Sequence, residues 1–108
     1  MRIALPVADN LVAGTEDGEK IRIYEVSGNE VKLVEEYDNP ALKTDAEMSR
    51  EILMIRSIMQ RGAKTLITSR IGLPGLRLLK GCGKVYITEK ISVTEAIYNF
   101  TSGNLKKV

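Results

Sequence analysis

A chain of 108 residues, 44% hydrophobic and 28% charged, has the size and composition of one globular domain whose core needs no disulfide or metal. Its net charge of +2 is too mild to point to nucleic acid, and with no histidine and one cysteine it lacks imidazole acid–base chemistry and any internal disulfide. No segment reaches membrane-spanning length and the first apolar run is too short for a secretory leader, so a cytoplasmic protein with no membrane or nucleic-acid partner is expected.

In chain order, apolar Arg2 to Val7 predicts a first strand, bounded by Asp9-Asn10. Leu11 to Glu19 reads as a loop marked by Gly14 and Asp17-Gly18. Lys20 to Val26 and Val31 to Tyr37 partly alternate around the turn Ser27-Gly28-Asn29, the pattern of a β-hairpin. Asn39-Pro40 ends the extended chain. Thr44-Asp45-Ala46-Glu47 fits a capping box, and Met48, Ile52, Ile55 and Met59 then form an apolar stripe up to a stop at Gly62.

Lys64 to Ser69 predicts a buried strand that breaks into the loop Arg70-Ile71-Gly72, with a helix starting near Pro74 and ending at Gly81. Val85 to Thr88 predicts a last buried strand. Ser92-Val93-Thr94-Glu95 is a second capping box, for a helix that turns Val93, Ala96, Ile97 and Phe100 inward and ends at Gly103. The order β-β-β-α-β-α-β-α implies a three-layer α/β fold with a mixed five-stranded sheet, its parallel strands joined by right-handed crossovers.

The first strand, the hairpin, the Asn39-Pro40 break, the Ser69-Arg70-Ile71-Gly72 loop, the Val85-Tyr86-Ile87 strand and the Gly103-Asn104-Leu105 end together resemble the dinitrogenase iron–molybdenum cofactor biosynthesis domain over almost the whole chain. The resemblance implies one domain over residues 1–108, a ribonuclease H-like fold, strand order 3-2-1-4-5 and an antiparallel second strand. It also implies a carrier of iron–sulfur or iron–molybdenum clusters. The family's His-Phe-Gly motif falls on Glu16-Asp17-Gly18, so only the glycine is kept, and Cys82 with carboxylates would have to supply any ligands.

Ligands in open α/β sheets sit beyond the carboxyl ends of parallel strands, where helix N-termini offer free amides. That rule gathers Asp9, Asn10, Ser69, Arg70, Ile71, Gly72, Thr88 and Glu89 into one expected crevice, with Arg70 as the group that would clamp a small anion. Each has a plainer role, Asp9 and Asn10 as turn residues, Gly72 and Gly75 as backbone hinges. Glu16 and Asp17 read as a solvated turn. Cys82, in Gly81-Cys82-Gly83, reads as a small semi-buried turn residue, with metal or cluster ligation as its functional alternative. The expected function is a non-enzymatic binding or carrier protein. The alternatives are an interaction module that pairs with a protein or a second copy through its outer hairpin strand, and a metal-dependent nuclease using Asp9 with Glu47 or Glu51.

Overall fold

The first strand, β1 (Arg2–Ala8), organises the sheet because it is paired along both edges. The computed structural model describes residues 1–43 and 50–108. One edge of β1 pairs antiparallel with β3 (Lys20–Ser27) from Arg2↔Glu25 to Val7↔Lys20. The other pairs in parallel with β5 (Thr65–Thr68), but only at Ile3↔Thr65 and Ala4↔Leu66. Beyond that point the two parallel strands part. The gap is taken by β2 (Leu11–Val12), which folds back antiparallel on Val7 and Ala8.

That reversal is a two-residue turn in which Asp9 and Asn10 both have positive φ, 53° and 63°. Turns of this type need two left-handed residues, and Asp and Asn tolerate that conformation best after Gly. The β3–β4 hairpin turns more simply at Gly28, φ 59°, into β4 (Glu30–Asp38). A register shift beside Ile23 leaves a bulge in this outer strand. On the far side β5 pairs in parallel with β6 (Lys84–Ile87), which pairs antiparallel with β7 (Lys106–Lys107). Among the described residues the sheet order is β4-β3-β1-β5-β6-β7 with β2 on β1, seven strands rather than the five expected. The two extra strands are two residues long, too short to leave any alternation in the sequence.

Helices α1 (Arg50–Gln60) and α2 (Leu73–Lys80) cover one face, and α3 (Val93–Thr101) covers the other. Alternation along β1 feeds both cores: Ala4 joins Ile55, Ile58 and Leu66 under α1, whereas Ile3, Leu5 and Val7 join Ile67 and Ile97 under α3. Each fully buried Ile or Leu contributes roughly 1.5–3 kcal/mol. The Thr44–Glu47 capping box and Met48 lie outside the described residues. The buried face of α1 is Glu51, Met54, Ile55 and Ile58, with Ile52 and Met59 only half-buried, so the helix is rotated from the expected stripe. For α3 the expected cap is present: Ser92 Oγ accepts the Glu95 N–H at 3.1 Å.

Candidate functional site

The segment after β2 is stitched across the end of β5. Ser69 N–H donates to Ala13 O at 3.0 Å and Thr15 N–H to Arg70 O at 3.1 Å. The buried Thr68 hydroxyl donates to Ala13 O at 2.8 Å. Asn39, fully buried, locks the same loop from the other side, its Nδ2 donating to Thr15 O at 3.0 Å and Gly18 O at 2.9 Å. Its Oδ1 accepts the Ala41 N–H and so caps the 3-10 helix Pro40–Leu42. A polar side chain this deep is stable because each of its groups is hydrogen-bonded.

The chain itself therefore fills the space between the carboxyl ends of β1 and β5, and the expected single crevice is divided. On the α1–α2 side lies an open cavity of about 460 Å³ lined by Gly14, Thr15, Glu16, Asp17, Arg50, Glu51, Arg70, Gly72 and Pro74. On the β3–β4 side a depression of about 240 Å³ holds Asp9 and Asn10 with Arg22 and Glu36. There Arg22 Nη2 donates to Asn10 Oδ1 at 3.0 Å and Nε to Glu36 at 2.7 Å, which leaves Asn10 as a structural partner. Of the eight expected residues, Arg70 and Gly72 line the larger cavity and Asp9 and Asn10 the smaller. Ser69, Ile71, Thr88 and Glu89 line neither: Ile71 packs on the first core, and Thr88 N–H donates to Thr68 O.

Sequence reasoning missed most of the larger cavity. Glu16 and Asp17 are an exposed turn, as expected, but one that forms a wall of the site. Glu51 is only 4% exposed, an unusual place for a carboxylate on a helix. Its Oε1 accepts the Gly72 N–H at 2.7 Å, and the Gly75 N–H also turns toward it. Burial pushes the Glu51 carboxyl above its ordinary range and the charge of Glu16 adds to this, while the two amides pull it partly back. A Cβ on Gly72 would stand 2.6 Å from Glu51 Oε2, and one on Gly75 would stand 2.6 Å from its Cγ. The two glycines thus admit a close anionic group, and that group is the protein's own side chain.

Arg50 and Arg70 are exposed, and among the described residues neither forms an ion pair. Gly14 keeps the Arg70 stem close to the loop, since a Cβ there would stand 3.2 Å from Arg70 Cβ. The cavity therefore offers guanidinium groups and hard carboxylates, and no thiolate. Cys82 is exposed rather than semi-buried, because it sits on the outside of the α2–β6 turn with Sγ 3.8 Å from Leu78 O. It precedes β6, at the end of the parallel strands opposite the cavity. Among the described residues no three His, Cys, Asp or Glu side chains group where they could hold a metal ion. Among them, too, no helix is long and apolar enough to cross a membrane.

A mixed sheet covered on both faces, with a charged cavity beyond its parallel strands, defines a small α/β domain. The sequence matches the model of the dinitrogenase iron-molybdenum cofactor family over residues 1–103, and the chain belongs to that family. The solved structures that are similar include the following three. The apo form of the orange protein from Desulfovibrio gigas is 19% identical with a TM-score of 0.79, over 99% of this chain and 92% of that one. A NifB-like protein from Thermotoga is 29% identical with a TM-score of 0.70, over 98% and 91%. A dinitrogenase-like protein from Methanocaldococcus jannaschii is 17% identical with a TM-score of 0.74, over 100% and 94%. No curated protein matches the sequence.

Proposed function

We propose that this protein is a non-enzymatic carrier that holds an anionic cargo, a metallocluster or a small oxoanion, in the cavity between Arg50 and Arg70. The observation that carries this is the convergence of two exposed guanidiniums on one cavity of about 460 Å³ at the carboxyl ends of parallel strands. Among the described residues the walls provide no sulfur or imidazole donor, so the cargo is held through its outer anionic atoms by charge-assisted hydrogen bonds rather than by direct ligation. Family membership supports a cluster as cargo. Glu16 and Asp17, which stand where the family's His-Phe-Gly motif falls, line the same cavity and bring carboxylates, not a ligating imidazole, beside the guanidiniums. The strand order, with β3 antiparallel to β1, supports assigning the chain as one domain of the ribonuclease H-like class. The exposed free thiol of Cys82 supports a reducing, cytoplasmic setting. Asp9 and Glu51 line different depressions, which counts against two-metal nuclease chemistry.

The test is anaerobic reconstitution with iron and sulfide, with bound metal and visible absorbance measured across a titration. Removing one charge-assisted contact costs about 1.5–3 kcal/mol, so Arg70→Ala is expected to weaken binding roughly ten- to a hundredfold. Cys82→Ala is expected to leave it unchanged. Binding indifferent to Arg70, or abolished without Cys82, refutes the proposal. A second role as an interaction module has one specific support: Val31, Leu33 and Val34 are 40–48% exposed on the free edge strand β4. Sedimentation of wild type and Leu33→Glu tests it, and an unchanged monomer in both removes it.

A further inference from the structure

We propose that Glu51 is a self-supplied anion that occupies the amide cradle at the start of α2 and so confines cargo to the Arg50–Arg70 side of the cavity. This rests on the cavity's being the binding site, and adds the residue that sets which part of it is open. Three independent features support it. The Glu51 carboxylate accepts the Gly72 N–H at 2.7 Å and faces the Gly75 N–H, the two donors that an external anion would otherwise take. Both positions are glycine, and a Cβ at either would run into the carboxylate. The side chain is 96% buried by its 4% exposure, yet it lines the open cavity, so it forms the floor on which a ligand would rest.

Among the described residues, the groups that act on this carboxylate are Glu16 from the β2–β3 loop and the Gly72 and Gly75 amides at the start of α2, with Arg50 lining the same cavity from α1. Glu16 repels it and the amides hold it. A positioning role follows as well. Glu51 ties α1 to the loop that carries Arg70, so seating the carboxylate fixes the direction from which Arg70 reaches the cavity.

The test is chemical rescue. Glu51→Ala vacates the cradle and is expected to lower Tm by about 5 °C or more. Added sodium formate, compared with sodium chloride at matched ionic strength, is expected to restore much of that loss in a saturable way, with no comparable shift in Arg70→Ala, which keeps Glu51 in the cradle but lacks the arginine that would clamp cargo. The same rescue in Glu51→Ala/Arg70→Ala is expected, because the cradle does not need Arg70; this separates the inference from the cargo proposal. No rescue, or equal shifts in Arg70→Ala and in Glu51→Ala/Arg70→Ala, overturns it. Should Glu51→Ala fail to fold, Glu51→Gln keeps the shape without the charge. In wild type the Gly72 and Gly75 amide resonances are expected to move with pH as Glu51 titrates, and in Glu51→Gln to stay still. Persistence of that movement in the variant also overturns the inference.

Discussion

Gly75→Ala probes the packing of α2 against α1 with one methyl group. The added carbon would lie 2.6 Å from Glu51 Cγ and 2.7 Å from its Cδ, closer than van der Waals contact allows. The three nearest atoms all belong to Glu51, so its side chain is what must yield. It has room to swing into the open cavity, where water can solvate it. The cost is then bounded by the lost amide contacts, about 3 kcal/mol for hydrogen bonds to a charged group. Against this, alanine inside a helix is favoured over glycine by about 1 kcal/mol. The net expectation is a loss of about 2 kcal/mol, or roughly 8–16 °C in Tm for a domain of this size. Urea unfolding followed by circular dichroism measures it. The control is Gly81→Ala, where φ is −70° and the nearest atom to a new Cβ is 4.0 Å away, so a gain of about 0.4–1 kcal/mol is expected. A Gly75→Ala protein as stable as the Gly81→Ala control would show that Glu51 does not fill that space.

Two further outcomes follow from side chains that hold the loops. Asn39→Ala removes three buried hydrogen bonds and leaves Thr15 O, Gly18 O and Ala41 N–H without them, so a loss of about 2–4 kcal/mol is expected, with faster amide exchange across 14–18. Asp38, bonded by Lys20 and by Lys43 at 2.7 Å, has its carboxyl lowered to about 2. A depressed carboxylate contributes its stability above the ordinary value near 3.8 and loses it as pH falls through about 2. Carbon-detected titration is expected to show this, and Lys20→Met to bring Asp38 back up, because the Lys20 hydrogen bond is the largest cause; no change would assign the shift elsewhere.

Much of the frame was legible because it obeys local rules. The Gly28 hairpin, the Asn39-Pro40 break and the Ser92 cap each depend on residues within one turn of each other. The rotation of α1 was not legible, since a hydropathy pattern places Glu51 outward and only the distant Gly72 and Gly75 amides make it worth burying. The Asp9-Asn10 pair did carry a signal, that of a two-residue hairpin turn, and it would have revealed β2. Of the cavity, only Arg70 and Gly72 could be read. Its arginines lie twenty residues apart in sequence, and the loop opposite them is held by Asn39 from a third segment. Long-range placement of that kind follows from packing and leaves no spacing in the chain.

The pairing of β1 with β5 also has a consequence for synthesis. One edge of β1 finds its partner β3 within about 25 residues, but the other waits for Thr65, roughly 60 residues later. At ribosomal rates of about 5–20 residues per second this interval lasts about 3–12 s. During it the nascent protein shows an unpaired apolar strand edge, shielded at one end only by the two-residue β2. Translation speed through residues 30–65 is thus a factor in yield, and slowing it lengthens the window for mispairing between neighbouring nascent chains.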